Sequence, residues 1–417
     1  MEKERITIGE ILIYISAILF YVTLDVNIVG SFLPMLKGQY VLLVSLIVMI
    51  FGYAINRGFK IEIGLNGYQI YILLFALFTF ASGLWAFDSS LAVKWGSDFI
   101  GIFVMMSVIF WCIHDIDSID TLLEIMMISG YVIIVYYIFY YGPSYFIKML
   151  RLSSISISDR LTNDVMNANT LGMHAAYSII IQLYFLMYKK KHCVVGMPFA
   201  LISLIVLALS ESRKALIIVI LGPLAILLCK NYDNRNFVKS VLKLLSILIS
   251  FLVIISLISQ IPIFSAMNER MQFIWNYVSG KGEVGLSINQ RSGLFSIGID
   301  IFRKHPIIGI GIDNAKIVVE QRMGYKDYYL HNNYIEMLAD GGIIGFLFYY
   351  WLYISLAINY IKFRDLDNCE YVICLVLLII FLLMDMFMVS YLSKTTYFHV
   401  MMLYIFIVEQ KKRVKEL

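Results

Sequence analysis

Apolar stretches long enough to cross a bilayer recur along this chain almost without pause, and that recurrence constrains its fold more than any other feature. A spanning helix needs about 20 mostly apolar residues. Backbone groups in lipid must find their partners within the protein, so only helices or a closed barrel can span. The runs here are solid blocks, Ala215–Cys229 and Tyr371–Met384 among them, and do not alternate as barrel strands do. Hydrophobic residues make up 60% of the 417, which excludes an ordinary soluble domain. The expected fold is all-α, a single integral membrane domain over residues 1–417, with spans at 7–23, 40–56, 68–86, 97–113, 121–141, 169–188, 193–209, 213–229, 241–263, 341–361, 371–391 and 395–409. That makes about twelve transmembrane helices.

Short loops rich in Lys and Arg stay in the cytoplasm. Lys3 and Arg5, Arg57 and Lys60, Lys189 to Lys191, Lys230 and Arg235, Lys362 and Arg364, and the tail from Lys411 to Lys415 all fall on one side. Both termini are therefore expected to be cytoplasmic. The acidic loop His114-Asp115-Ile116-Asp117 falls on the same side, but acidic residues count little in this rule. Met1-Glu2-Lys3-Glu4-Arg5 precedes an apolar run that no small-residue cleavage site closes, so that run is read as a retained first helix. The five cysteines lie in or beside the spans with no Cys-x-x-Cys pair, the pattern of small buried hydrophobes.

One polar island interrupts the hydrophobic pattern. It covers about 264–340 and forms a large extracytoplasmic loop between the ninth and tenth spans. It carries Arg270, Arg291, Arg303, His305, Arg322 and His331, and a loop this cationic at a membrane surface suits an anionic ligand. Within it, Leu294, Ile297 and Ile301 recur at helical spacing, as do Phe295, Gly298 and Phe302. That predicts an amphipathic helix resting on the membrane or packing under the loop, with Arg291 at its N-terminal end. The helix should end before Pro306, with a turn at Gly309-Ile310-Gly311.

Three segments could carry chemistry. Ser210-Glu211-Ser212-Arg213-Lys214 forms a short turn before the eighth span. An Arg at that boundary is costly unless used, and the helix start behind it favours an anion. Its guanidinium fork suits phosphate oxygens, with snorkelling to lipid head groups as the plainer role. Asn289-Gln290-Arg291 offers a second such fork. The third segment is His331-Asn332-Asn333-Tyr334, where an Asn cap would put His331 at the mouth of a short helix as a general base or a structural residue. Glu336 and Asp340 share one face of that helix. The remaining histidines, His114, His174, His192 and His399, look scattered, and no metal site is read from them.

Taken in order, Ser210–Lys214, Arg291 with Phe302-Arg303-Lys304-His305-Pro306-Ile307-Ile308-Gly309-Ile310-Gly311, and His331–Tyr334 through Gly341-Gly342-Ile343-Ile344-Gly345 resemble the O-antigen ligase/polymerase superfamily. Asn167-Ala168-Asn169-Thr170-Leu171-Gly172 resembles its Asn-x-Asn-x-x-Gly element, and the resemblance covers about 160–350. It implies a GT-C type, inverting, metal-independent glycosyltransferase without a cofactor, in the bacterial inner membrane with its active site on the extracytoplasmic face. The donor would be a glycan on undecaprenyl pyrophosphate, attacked at C1 by a sugar hydroxyl. Arg213 and Arg291 would grip the leaving pyrophosphate, and His331 would take the acceptor proton. Arg160, Lys214, Asn169 and Asn332 would be secondary contacts.

Such a protein would polymerise the repeat units of an O-antigen or capsule. The alternative within the family is a ligase moving the finished glycan to lipid A core of lipopolysaccharide or another acceptor. An alternative of another class is a lipid-linked oligosaccharide flippase, which should hold its charges near mid-membrane on broken helices. The expected partners are the lipid-linked donor, a glycan acceptor, membrane lipids and other polysaccharide-assembly proteins, with no nucleic acid.

Overall fold

The computed structural model describes residues 7–33, 35–57, 64–113, 119–151, 167–231 and 286–416, together with Ser246, Asn276 and Ser279. Every regular element among them is a helix: α1 (Ile8–Asp25), α2 (Ile28–Phe32), α3 (Gly38–Arg57), α4 (Gly67–Ser82), α5 (Ser89–Ile113), α6 (Ile119–Tyr141), α7 (Pro143–Arg151) and α8 (Ala168–Tyr184), which runs on as a π turn (Phe185–Lys189). There follow α9 (Cys193–Ser210), α10 (Arg213–Asn231), α11 (Leu286–Lys304), α12 (Ala315–Met323), α13 (Asn333–Lys362), α14 (Cys369–Met384) and α15 (Lys394–Glu416).

Among the described residues, seven helices are long and apolar enough to cross a membrane: α1, α3, α5, α6, α8 with its π turn, α9 and α13. The apolar α4 and α14 are shorter. Apart from Ser246, Asn276 and Ser279, the span expected at 241–263 and the first part of the polar island, to residue 285, lie outside the described residues. The fourteenth helix corrects another expectation. The span read at 371–391 stops at Met384, and residues 385–393 form turns instead. Apolar residues resume after Asp385, but Asp385 and Ser390 take buried tertiary partners in these turns.

Helix starts are set by local chemistry. Thr7 and Asn66 each form a capping box with Glu10 and Gln69, and Asn167, Asn332 and Asn368 cap α8, α13 and α14 through their side-chain oxygens. Each satisfies backbone donors that a helix start leaves unpaired. Helix α1 packs on α3, α4 on α5, and α8 on α6, α9 and α10.

One end of the bundle is tied by charge. Lys189 sits 2.9 Å from Asp120 and 3.2 Å from Glu370, and Arg413 lies 3.8 Å from Glu370. These pairs join the starts of α6 and α14 to the ends of α8 and α15. The other end carries the second half of the polar island, which has a small core of its own. Leu294, Ile297 and Ile301 of α11 pack there with Ile310, Val319, Leu330 and Ile335. The stripe read from the sequence therefore packs under the loop.

The segment from Pro306 to Gly311 has a specific mechanical task. Helix α13 breaks at Gly342, whose φ of 61° and ψ of −163° are not helical. In an unbroken helix Ile343 and Ile344 would donate to Ala339 and Asp340. Here Ile343 N donates to Pro306 O at 2.9 Å and Ile344 N to Ile307 O at 3.1 Å. The stranded carbonyls of Ala339 and Asp340 accept from Ile310 N at 3.1 Å and Gly311 N at 2.9 Å. The loop thus threads into the gap in the helix and satisfies all four groups that the break exposes. A Cβ on Gly309 would overlap the Asp340 carbonyl, and one on Gly342 the Ile307 carbonyl, so both positions need glycine.

Candidate functional site

The short turn between α9 and α10 is built by its serines. Ser210 Oγ donates to Leu207 O at 2.7 Å, Glu211 takes a left-handed φ of 49°, and the Ser212 hydroxyl accepts from Ala215 N at 3.3 Å as the cap of α10. Arg213 and Lys214 are then the first two residues of that helix. The turn lies against the start of α8 because residue 172 is glycine: a Cβ there would stand 2.5 Å from Ser210 Oγ and 2.9 Å from Ser212 Cβ. The Asn-x-Asn-x-x-Gly element therefore has a clear local logic, with Asn167 capping α8 and Gly172 admitting the turn that carries the cations.

Arg291 arrives from α11. Gly298, seven residues further along and on the same face, lets that helix press on Leu330 and Ile335, since a Cβ would come within 2.7 Å of Leu330 Cδ1. This docking brings Arg291 towards His331. Helix α11 begins at Leu286, so Arg291 lies more than a turn inside it and not at its N-terminal end. The expected help from that helix's dipole, confined to the first turn, does not apply.

His331 precedes the cap of α13 with a left-handed φ of 59°. Asn332 Oδ1 accepts from Ile335 N at 3.1 Å, so His331 does stand at the mouth of a helix. Its ring lies 4.3 Å from the Tyr329 ring and 5.4 Å from that of Tyr328, centre to centre. Its Nδ1 is buried without a hydrogen-bond partner among the described residues. Burial, then the positive Arg291 and Lys214, pull its pKa down to about 4, so the ring is neutral at physiological pH. Neither Arg291 nor Lys214 pairs with a carboxylate among the described residues, although Lys214 is only 8% exposed. Two cations held beside a neutral histidine form a place where an anion would be stabilised.

A cavity of about 370 Å³ opens beside this cluster, lined on that side by Lys214, Tyr329 and Asn169. The rest of its wall was not legible in the sequence. Asp25 from the end of α1, His174 of α8, Asp385 and Ser390 from the turns after α14, and Thr395 and His399 of α15 all line it. His174 and His399, scattered in sequence, thus meet at one site. Asp25 Oδ2 accepts from His174 Nε2 at 2.9 Å, and His399 Nε2 lies 2.7 Å from Tyr21 OH.

The expected site residues separate as follows. Arg291, Lys214 and His331 come together, Asn169 lines the adjoining cavity, and Arg213 opens the same helix as Lys214, half-buried. Asn332 caps α13, a structural role. Arg160 and Arg270 lie outside the described residues. Two other island cations have a partner elsewhere: Arg322 and Lys304 both bind Asp300, at 2.6 and 3.2 Å. Glu336 and Asp340 are fully buried in structural roles. Asp340 accepts from the backbone N–H groups of Asp313, Asn314 and Ala315 and from Tyr391 OH, so it caps α12 from a distance. Glu336 accepts from Leu330 N at 2.6 Å.

No curated protein matches the chain. Residues 198–350, which run from α9 through the Ser210–Lys214 turn, Arg291 and His331 into α13, match the family model described as O-Antigen ligase, and this match supports the O-antigen ligase/polymerase superfamily for this protein.

Proposed function

We propose that this protein is a membrane glycosyltransferase that moves a glycan from undecaprenyl pyrophosphate onto a sugar hydroxyl, extending the repeat units of a surface polysaccharide. The observation that carries this reading is that Arg291 and Lys214, from two distant segments, both act on His331, and that Lys214 also lines the adjoining cavity. The acceptor hydroxyl attacks C1 from the face opposite the leaving group. The bond from C1 to the pyrophosphate oxygen breaks, its electron pair leaves with the lipid pyrophosphate, and the hydroxyl proton passes to His331. Charge grows on the leaving oxygen in the transition state. Fixed cations at Arg291, Lys214 and Arg213 therefore stabilise that state more than the bound donor.

The depressed pKa of His331 fits this order of events. With the cations unneutralised, the ring is a weak base that is never blocked by a proton at neutral pH. A bound pyrophosphate offsets Arg291 and Lys214 and makes the same ring more basic, so the donor itself readies the base. On this reading the membrane is the bacterial inner membrane, and the end of the bundle carrying the site faces away from the cytoplasm.

Arg291→Ala and Arg213→Ala should each lower glycan transfer by roughly 10²-fold or more in a reconstituted assay while the protein stays in the membrane. Full activity in either variant would remove that residue from the pyrophosphate site. The description of the matched family favours a second reading, transfer of the finished glycan to lipid A core or another acceptor. Product analysis separates the two: lengthened chains on undecaprenyl pyrophosphate mean polymerase, and glycan moved intact to another acceptor means ligase.

A further inference from the structure

The cavity beside the cationic cluster changes chemical character along its wall. Lys214 and Tyr329 line it next to Arg291 and His331, whereas Asp25 and Asp385 line it elsewhere. An anion filling the whole space would gain at Lys214 and be repelled by the Asp25 carboxylate. A ligand with an anionic end and a neutral, hydroxyl-bearing body matches the wall throughout. At about 370 Å³ the space falls within the ~300–1,000 Å³ typical of small-molecule sites.

The hydroxyl-binding end is built, and it has capacity to spare. The Asp25 side chain is 19% exposed, and among the described residues its carboxylate accepts from His174 at 2.9 Å and faces the Thr395 hydroxyl. A carboxylate has about four acceptor positions. Thr395 lies beside it, 6% exposed, with its hydroxyl turned towards the Asp25 carboxylate. Tyr177 and Phe381 supply an apolar wall, the Phe381 ring lying parallel to that of His399 with centres 4.7 Å apart. Such a wall suits the C–H face of a pyranose ring.

We propose that this cavity is the binding site of the sugar ring attached to the pyrophosphate. Asp25 accepts hydrogen bonds from its hydroxyl groups, Thr395 exchanges one with it, and His174 holds the carboxylate in place. This makes the Asp25, His174 and Thr395 cluster, drawn from α1, α8 and α15, the part of the protein that selects the first sugar of the donor. The inference rests on the reading of the chain as a transferase using a glycosylated lipid pyrophosphate.

The test uses the full-length protein in lipid nanodiscs with two probes, sugar-free undecaprenyl pyrophosphate and the lipid-linked glycan extracted from cells that make the protein. Asp25→Asn and Thr395→Val should each weaken binding of the glycosylated lipid by roughly tenfold or more and leave the sugar-free lipid unchanged. Thr395→Ser keeps the hydroxyl and should bind both as the wild type does. Unchanged binding of the sugar-free lipid also certifies that each variant is folded. Equal weakening of both lipids by both variants, or no weakening of either, would overturn the sugar site. Failure of the transferase reading looks different: wild-type protein would then bind neither lipid, or Arg291→Ala would bind the sugar-free lipid normally.

Discussion

His331 gathers several unusual properties in one residue: a left-handed backbone, a buried Nδ1 without a partner among the described residues, and a pKa near 4. A non-glycine residue in that backbone region costs roughly 1–2 kcal/mol, borne by the packing of Tyr328 and Tyr329 around it. The pH dependence of transfer follows from the sign of the shift. A base must be deprotonated to act, so activity is lost as pH falls through its pKa. The acid limb of kcat/KM, which reports the free protein, should lie near pH 4. The limb of kcat reports the donor complex, where the pyrophosphate offsets the two cations, and should lie at higher pH. Coincident limbs would show that the donor does not alter the base. The sequence marked His331 and Arg291 because a cation or histidine in a polar loop of a membrane protein stands out. Asp25 and Thr395 gave no such signal, since each sits singly at the end of an apolar run and gains meaning only from the elements folded around it.

Among the elements, the motifs of the polar island divide into those that bear charge and those that hold shape. Phe302–Gly311 and Asp340–Gly345 read as conspicuous patterns, yet Pro306, Gly309, Gly311 and Gly342 serve the threaded break in α13. Gly342→Ala should lower the thermal midpoint of the detergent-solubilised protein. The backbone region of Gly342 alone costs a side chain about 1–3 kcal/mol, and the new Cβ would meet the Ile307 carbonyl. An unchanged midpoint would mean that the interlock is not a firm part of the fold. Gly172→Val should act on function instead. It would push the Ser210–Ala215 turn away from α8, displacing Lys214, and weaken undecaprenyl pyrophosphate binding more than it lowers the midpoint. The helix spacing of Leu294, Ile297 and Ile301 was legible in advance because periodicity is local. The early end of α14 was not, because apolar residues resume after Asp385 and the reason to stop lies in the tertiary partners of Asp385.

Across the whole molecule the two ends are specialised. One is fastened by Lys189 between Asp120 and Glu370, the other holds the cavity and the cations. Lys189→Met would leave two carboxylates without their shared partner and should destabilise the bundle by roughly 1–3 kcal/mol. It should leave the KM for the donor unchanged, since no site residue depends on it; a changed KM would mean the ends are coupled. By itself the sequence determined the all-helical membrane architecture, because hydropathy over twenty residues is a local property that lipid reads directly. It also singled out Arg213, Arg291 and His331, with Lys214 as a secondary contact, because charge in such a chain is rare and costly. Only the tertiary structure decided that Arg291, Lys214 and His331 lie near one another, through the close approaches at Gly172 and Gly298, and that Asp25, His174, Thr395 and His399 form the wall beside them. Those residues are up to 374 positions apart (399 − 25), and no periodicity along a chain encodes which helix ends will share a cavity.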